Sequence, residues 1–164
     1  MSTTLRRGAT SGLVVALLLV LSGCGLTIPT DPEGTLDRVR SDGVLHAGAA
    51  PNPGWVETAG PAQDPAGREV ELVEDFADSL GAEVEWTVAT EEYLVTLLEA
   101  GDLDVAVGGF TDQNPWVTKA ALTRPYAEEE VAGTTEKHVM MTRFGENALL
   151  AELETWLDEH GSRP

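Results

Sequence analysis

Residues 104–126 read DVAVGGFTDQNPWVTKAALTRPY, and the fold turns on this stretch. Asp104 precedes a short apolar run, Val105-Ala106-Val107, which breaks into Gly108-Gly109-Phe110-Thr111. A polar, proline-containing turn follows, and the stretch ends in Leu122-Thr123-Arg124-Pro125-Tyr126. A short apolar run bounded by turn residues predicts a buried strand. Glycine has no Cβ, so paired glycines at the end of a strand let a second backbone or a ligand come close. In open α/β sheets, ligands sit at the carboxyl ends of the strands. The stretch therefore predicts a strand that runs into a binding site.

Working outward, Leu94, Leu97 and Leu98 share one helical face that stops at Gly101. Val84, Trp86 and Val88 alternate with polar residues and predict a strand. A helix from Glu69 carries Val73, Phe76, Ala77 and Leu80 on one face and ends at Gly81. Residues 49–67, rich in proline and glycine around Trp55 and Glu57, read as a loop. Before them, Val44-Leu45-His46-Ala47-Gly48 reads as the first strand. A short helix from Thr35 to Ser41 precedes it, with Thr35 as cap and Gly43 as stop. The order β-α-β-α-β with short connections predicts an α/β fold, a mostly parallel sheet flanked by helices.

Beyond Tyr126, residues 127–137 read as a connection of 11 residues, too short for a domain. His138-Val139-Met140-Met141-Thr142 reads as a strand. Leu149, Leu150, Leu153, Trp156 and Leu157 then share a helical face closed by Gly161. One sheet should hold both Val105–Val107 and Val139 to Thr142, with the last helix packed on it. Trp86 and Trp156 lie on apolar faces and are expected in the core.

The ordered motifs over residues 35–160 resemble the first lobe of the family-3 periplasmic solute-binding proteins, the amino-acid-binding type. In that family a strand holding an aspartate leads into Gly-x-Thr, then a loop, then Phe-Ser-x-Pro-Tyr. Asp104, Gly109-Phe110-Thr111 and Leu122-Thr123-Arg124-Pro125-Tyr126 match in order and spacing. Gly67, Val70, Glu71 and Leu72 stand where the family has Gly-x-x-Val-Asp-Leu. The resemblance implies a single lobe of a type II periplasmic binding protein, residues 35–161, with the second lobe absent, because a second lobe would have to fit within residues 127–137.

The resemblance also implies a ligand half-site with departures. Gly109 and Thr111 keep positions that contact a ligand carboxylate in the family. Trp116 stands where the family places its clamping arginine, Glu91 where an aromatic residue flanks the ligand, and Ala49 near an acid for the amino group. Loss of a desolvated bidentate clamp is worth about 2–5 kcal/mol. Trp55, Phe110, Trp116 and Tyr126 can form an aromatic face with Glu57 or Glu91. Such a face suits a small cationic or amine solute through cation–π contacts, and it equally suits a protein partner.

At the amino terminus, Arg6-Arg7, an apolar run from Leu13 to Leu21 and Leu21-Ser22-Gly23-Cys24 form a leader. Leu-Ser-Gly-Cys resembles the bacterial lipobox. It implies a signal peptide over residues 1–23, lipidation (palmitate) of Cys24, and a tether over 24–34 holding an exported protein at the membrane's outer face or in the periplasm. Losing Arg6 and Arg7 takes the net charge from −18 to −20, which disfavours nucleic acid and anionic headgroups.

His46, His138 and His160 fall on separate elements without metal-ligand spacing, and Cys24 is the only cysteine. Neither Gly-x-Ser-x-Gly nor a P-loop occurs. The expectation is a binding protein with no cofactor or metal and no catalysis. Its expected role is a binding or accessory subunit at an ABC-type membrane transporter. The alternative is an interaction or sensor module that holds a protein partner in the half-cleft.

Overall fold

The computed structural model describes residues 31–60 and 63–161. The expected leader, Cys24 and the first part of the expected tether lie outside them.

The elements follow the expected order: α1 (Thr35–Asp42), β1 (Val44–Ala49), α2 (Arg68–Leu80), β2 (Glu83–Val88), α3 (Glu91–Ala100) and β3 (Val105–Val107). Then come β4 (Ala121–Leu122), β5 (Ala127–Val131), β6 (Thr134–His138), β7 (Met141–Thr142) and α4 (Asn147–His160). Five strands form one sheet in the order β2-β1-β3-β7-β4, and β5 and β6 form a separate two-stranded ribbon. β1 runs parallel to both β2 and β3, with Ala47 beside Trp86 on one side and Val105 on the other. β7 is antiparallel to β3 and β4, so both expected segments share the sheet.

Two apolar layers follow from the strand alternation. Leu45, Ala47 and Ala49 of β1 and Val105 and Val107 of β3 point to one face. There they meet Val39 of α1, Val73 and Phe76 of α2, and Leu149, Leu153 and Leu157 of α4. Ala106 points to the other face, with Leu94, Val95 and Leu98 of α3, Phe110 and Met141. Trp86 and Trp156 are half-buried and pack against the first layer, Trp156 edge-on to Phe76 at 6.0 Å. Burying one such large apolar side chain contributes about 1.5–3 kcal/mol.

Three local expectations are corrected. Residues 127–137 are not an irregular connection but most of a β-hairpin, paired from Ala127↔His138 to Val131↔Thr134. The expected strand from His138 to Thr142 is split, because residues 139 and 140 change partners between ribbon and sheet. Val139 N–H donates to the Phe110 carbonyl. Thr123 takes both backbone groups of Met140, one with its own N–H and the other with its hydroxyl.

The third correction concerns the start of α1. Thr35 lies inside the helix, one residue after the N-cap position, which Gly34 occupies. Asp31 accepts from Leu36 N–H, and Glu146, just before α4, accepts from the N–H groups of Glu33 and Thr35. Residues 31–34, expected as tether, are thus docked on the lobe.

That arrangement sets two carboxyl groups against each other. Burial pushes the Asp31 carboxyl up to about 6, and the neighbouring Glu146 carboxyl adds to the effect. Burial pushes Glu146 the same way, but hydrogen bonds from Asp31, Thr35 and Glu33 outweigh it and hold Glu146 below its ordinary value of 4.5. Below about pH 6 a proton on this pair is favoured on Asp31 rather than on Glu146. A raised carboxyl contributes to stability at low pH and loses that contribution as pH rises through about 6; a depressed one contributes above its ordinary value. Stability should therefore fall between about pH 5 and 7, by on the order of 1 kcal/mol after solvent screening. Asp31→Asn keeps a donor toward Glu146 and should flatten this slope. Urea midpoints at the two pH values check it, and an unchanged slope in the variant would contradict a proton favoured on Asp31.

Candidate functional site: the ligand end of the sheet

The carboxyl ends of β1 and β3 meet the start of α2 at a turn built on Gly108-Gly109. Gly109 has φ +64, and a Cβ there would lie 2.5 Å from Asn52 Nδ2 and 2.8 Å from the Trp55 indole. Only glycine combines that backbone with that approach. Asn52 Nδ2 donates to the Gly108 carbonyl at 2.8 Å, fixing the loop after β1 to the turn.

Glu69, in the first turn of α2, is fully buried. Its Oε2 accepts from Gly109 N–H at 2.7 Å, and its Oε1 accepts from the Tyr126 hydroxyl. Burial pushes the Glu69 carboxyl up, against the pull of the hydrogen bonds from Tyr126, Gly109 and Gly108. Burial, and then the Glu69 charge, pushes the Tyr126 phenol up, so it stays protonated and donates. A buried polar group of this kind is tolerated because its partners replace water.

Trp55 stacks on the His138 ring with centroids 3.7 Å apart and meets Tyr126 edge-on at 6.4 Å. The Arg68 guanidinium lies over the same indole, 4.1 Å from its centroid. His138 is buried, and neither ring nitrogen makes a hydrogen bond of ordinary geometry. Burial lowers its pKa, so the neutral ring serves as an aromatic surface.

A second cluster forms at the start of α3. Asn114 Nδ2 donates to Glu91 Oε1 at 2.7 Å, and Asn114 Oδ1 accepts from Trp116 N–H at 2.8 Å. Trp116 is half-buried against the α3 layer, with Lys119 Nζ 5.7 Å from its ring centroid.

The residues singled out from sequence are thus divided. Trp55, Gly109 and Tyr126 come together around Glu69 and His138, whereas Glu91 and Trp116 meet at Asn114. Thr111, partly exposed, bridges to His138 between the two groups. Glu57 is exposed and accepts from Gly54 N–H within its own loop. The four aromatics do not make one open face. Trp55, Phe110 and Tyr126 are 6%, 5% and 4% exposed, in two different apolar layers, which leaves Trp116 as the one of these four with accessible surface.

Glu69, Asn114 and His138 escaped the sequence reading. Glu69 had a signal: it stands four residues before Val73 and seven before Phe76, on the apolar face of α2. A carboxylate in that stripe needs buried donors. Nothing in the sequence pointed to Asn114 or to the His138 stack, which depend on chain segments far apart.

Residues 45–162 match the family model of the bacterial extracellular solute-binding proteins, family 3. The chain belongs to this family. As a family-3 domain it resembles the arginine-bound form of domain 1 from the arginine-binding protein TmArgBP. The TM-score is 0.66 at 25% identity, covering 75% of this chain and 98% of that one. An ancestral cationic amino acid solute-binding protein, AncCDT-1, gives a TM-score of 0.64 at 15% identity over 76% of this chain, a likeness of fold alone. Among curated proteins, the membrane-bound lytic murein transglycosylase F of Vibrio vulnificus strain YJ016 is 33% identical over 107 residues, 65% of this chain and 19% of that protein. That of Vibrio cholerae strain N16961 is 33% identical over 96 residues. The family-3 chain spans about a fifth of the length of these curated relatives. The family is named for solute binding. Among the described residues no helix is long and apolar enough to cross a membrane.

Proposed function

We propose that this chain is an exported lipoprotein, anchored through Cys24, whose single lobe serves as a binding or accessory subunit at a membrane transporter. One observation carries the reading. β5 and β6 leave and re-enter the lobe beside the ligand end of the sheet, and a two-residue turn joins them. No second lobe is threaded between them, so the cleft has one wall, and small-molecule sites ordinarily bury most of their ligand. A membrane protein that supplies the other wall would complete it. The murein transglycosylase relatives are named as membrane-bound, in keeping with a site of action at the membrane.

Cys24→Ala should release the protein from membranes or leave its precursor uncleaved. Soluble wild-type protein with residues 1–23 intact would sink the anchor. A photo-crosslinking side chain at exposed Gln113 should trap the membrane-spanning subunit of a transporter. Crosslinks to another class of protein would favour the sensor alternative. That second reading draws on the internal satisfaction of Glu69, Tyr126 and Trp55, which leaves Trp116 and the Thr111 rim as a partner's foothold.

The monomeric lobe should bind free α-amino acids no more tightly than about millimolar, roughly −4 kcal/mol. Gly109 and Thr111 offer neutral hydrogen bonds of about 0.5–1.5 kcal/mol each, and Gly109 N–H is already committed to Glu69. The ligand class that best fits the remaining rim is an amine or other cation, with Glu91 supplying the charge. Calorimetry checks this; micromolar binding of a common amino acid, lost in Thr111→Ala, would overturn it.

A further inference from the structure

We propose that two copies of this chain exchange the segment from β6 through α4 by opening the turn at Ala132-Gly133, so that two lobes sit at opposite ends of a two-stranded ribbon. The proposal stands on the hairpin and is independent of the transporter assignment.

The turn is the weak point of the ribbon. Ala132 and Gly133 have φ of +52 and +83, the signs of a tight two-residue hairpin turn. Ala132 is the non-glycine residue at positive φ among those described. Asparagine or glycine is preferred at such a position because a Cβ crowds the backbone there. Extending the chain through the turn returns Ala132 to an ordinary β conformation. A short hinge under strain is a recognised route to segment exchange between copies.

The register lets the exchange happen without a slip. Pairing runs from Ala127↔His138 through Glu129↔Glu136 to Val131↔Thr134. Continued straight, Ala132 of one copy faces Gly133 of the other, and every existing pair re-forms between copies. New pairs are added where the turn had been. The ribbon also has little else to hold it closed. Residues 128–135 are exposed apart from what they bury on each other, with Val131 at 41%. An isolated two-stranded hairpin is marginal in water.

The root of the ribbon lies at the ligand end of the sheet. His138 bridges Thr111 and stacks on Trp55, and Asp112 N–H donates to the Lys137 carbonyl. A continuous strand over residues 127–138 would carry the second lobe roughly 35–40 Å away at the other end of the ribbon, at about 3.3 Å per residue, so each lobe keeps its own rim. The exchanged segment carries β7 and α4, whose core contacts with β3, α1 and α2 would re-form in the other copy. The net charge of −18 opposes the approach, so the dimer should grow with added salt as well as with concentration.

The test uses the full chain with Cys24→Ser and the substitutions Glu130→Cys and Thr135→Cys, at directly opposed positions of the ribbon. In a monomer the new disulfide lies within one chain; in the exchanged dimer it joins two. A denaturing gel without reductant should show covalent dimers that rise several-fold with protein and salt concentration. Ala132→Asn, which suits the turn, should lower that fraction several-fold. Gly133→Val, which the turn's backbone excludes, should raise it. Disulfides confined to single chains at every concentration would overturn the proposal, whether or not Gly133→Val folds. So would a dimer seen by light scattering whose disulfides stay within each copy, since that is side-by-side association.

Discussion

Glu69→Ala is expected to lower the free energy of unfolding by about 3–5 kcal/mol. The side chain is fully buried and accepts from the Tyr126 hydroxyl and Gly109 N–H, so its removal strands two donors away from water. Each orphaned buried donor costs about 1–3 kcal/mol, and bonds to a charged acceptor lie at the upper end of the hydrogen-bond range. The loss is local as well as global. Glu69 ties α2 to the glycine turn at the end of β3, and Tyr126 ties the start of the ribbon to both. Tyr126→Phe removes one bond and leaves the Gly109 bond in place, so it should cost less, about 1–2 kcal/mol. Urea unfolding of the two single variants and their double would measure the coupling. Near-ultraviolet circular dichroism would report whether the neighbouring Trp55 loses its fixed packing. A Glu69→Ala cost below about 1 kcal/mol would mean that water reaches these donors, and the account of a sealed carboxylate would fail.

Removing α4, residues 147–161, is expected to abolish cooperative folding. Leu149, Leu153 and Leu157 are 1%, 0% and 3% exposed and lie among residues of α1, α2, β1 and β3. Leu153→Ala alone should cost about 2–5 kcal/mol through lost burial and the cavity left behind. Domains of this size have about 5–15 kcal/mol in total, so loss of all three exceeds what the lobe can lose. The deletion would also remove Glu146's neighbours and expose the Phe76 edge that meets Trp156. Thermal unfolding by circular dichroism decides it. A truncated chain that keeps a sharp transition would show that α4 is an accessory to the lobe rather than part of its core.

The elements themselves were legible because periodicity reports which side of a local element faces apolar neighbours. The 3.6-residue spacing of Val73, Phe76 and Leu80 and the alternation of Val84, Trp86 and Val88 needed no knowledge of what they pack against. Glycines at 43, 81 and 101 marked helix ends for the same local reason: each sits at left-handed φ just past its helix. The resemblance carried the single-lobe architecture, since the motifs came in sequence and at matching spacing. What the sequence left open lies where segments far apart supply one another's hydrogen bonds or packing. The cap of α1 comes from Glu146, 111 residues from Thr35, so Thr35 looked like the cap that it is not. Glu69 found its donors 40 and 57 residues away, and His138 found its stacking partner in the loop after β1. The ribbon was missed because Glu128-Glu129-Glu130 lacks the apolar alternation of a half-buried strand. It pairs through its backbone, with both side-chain faces largely in water, and only the tertiary structure could reveal pairing that no side chain records.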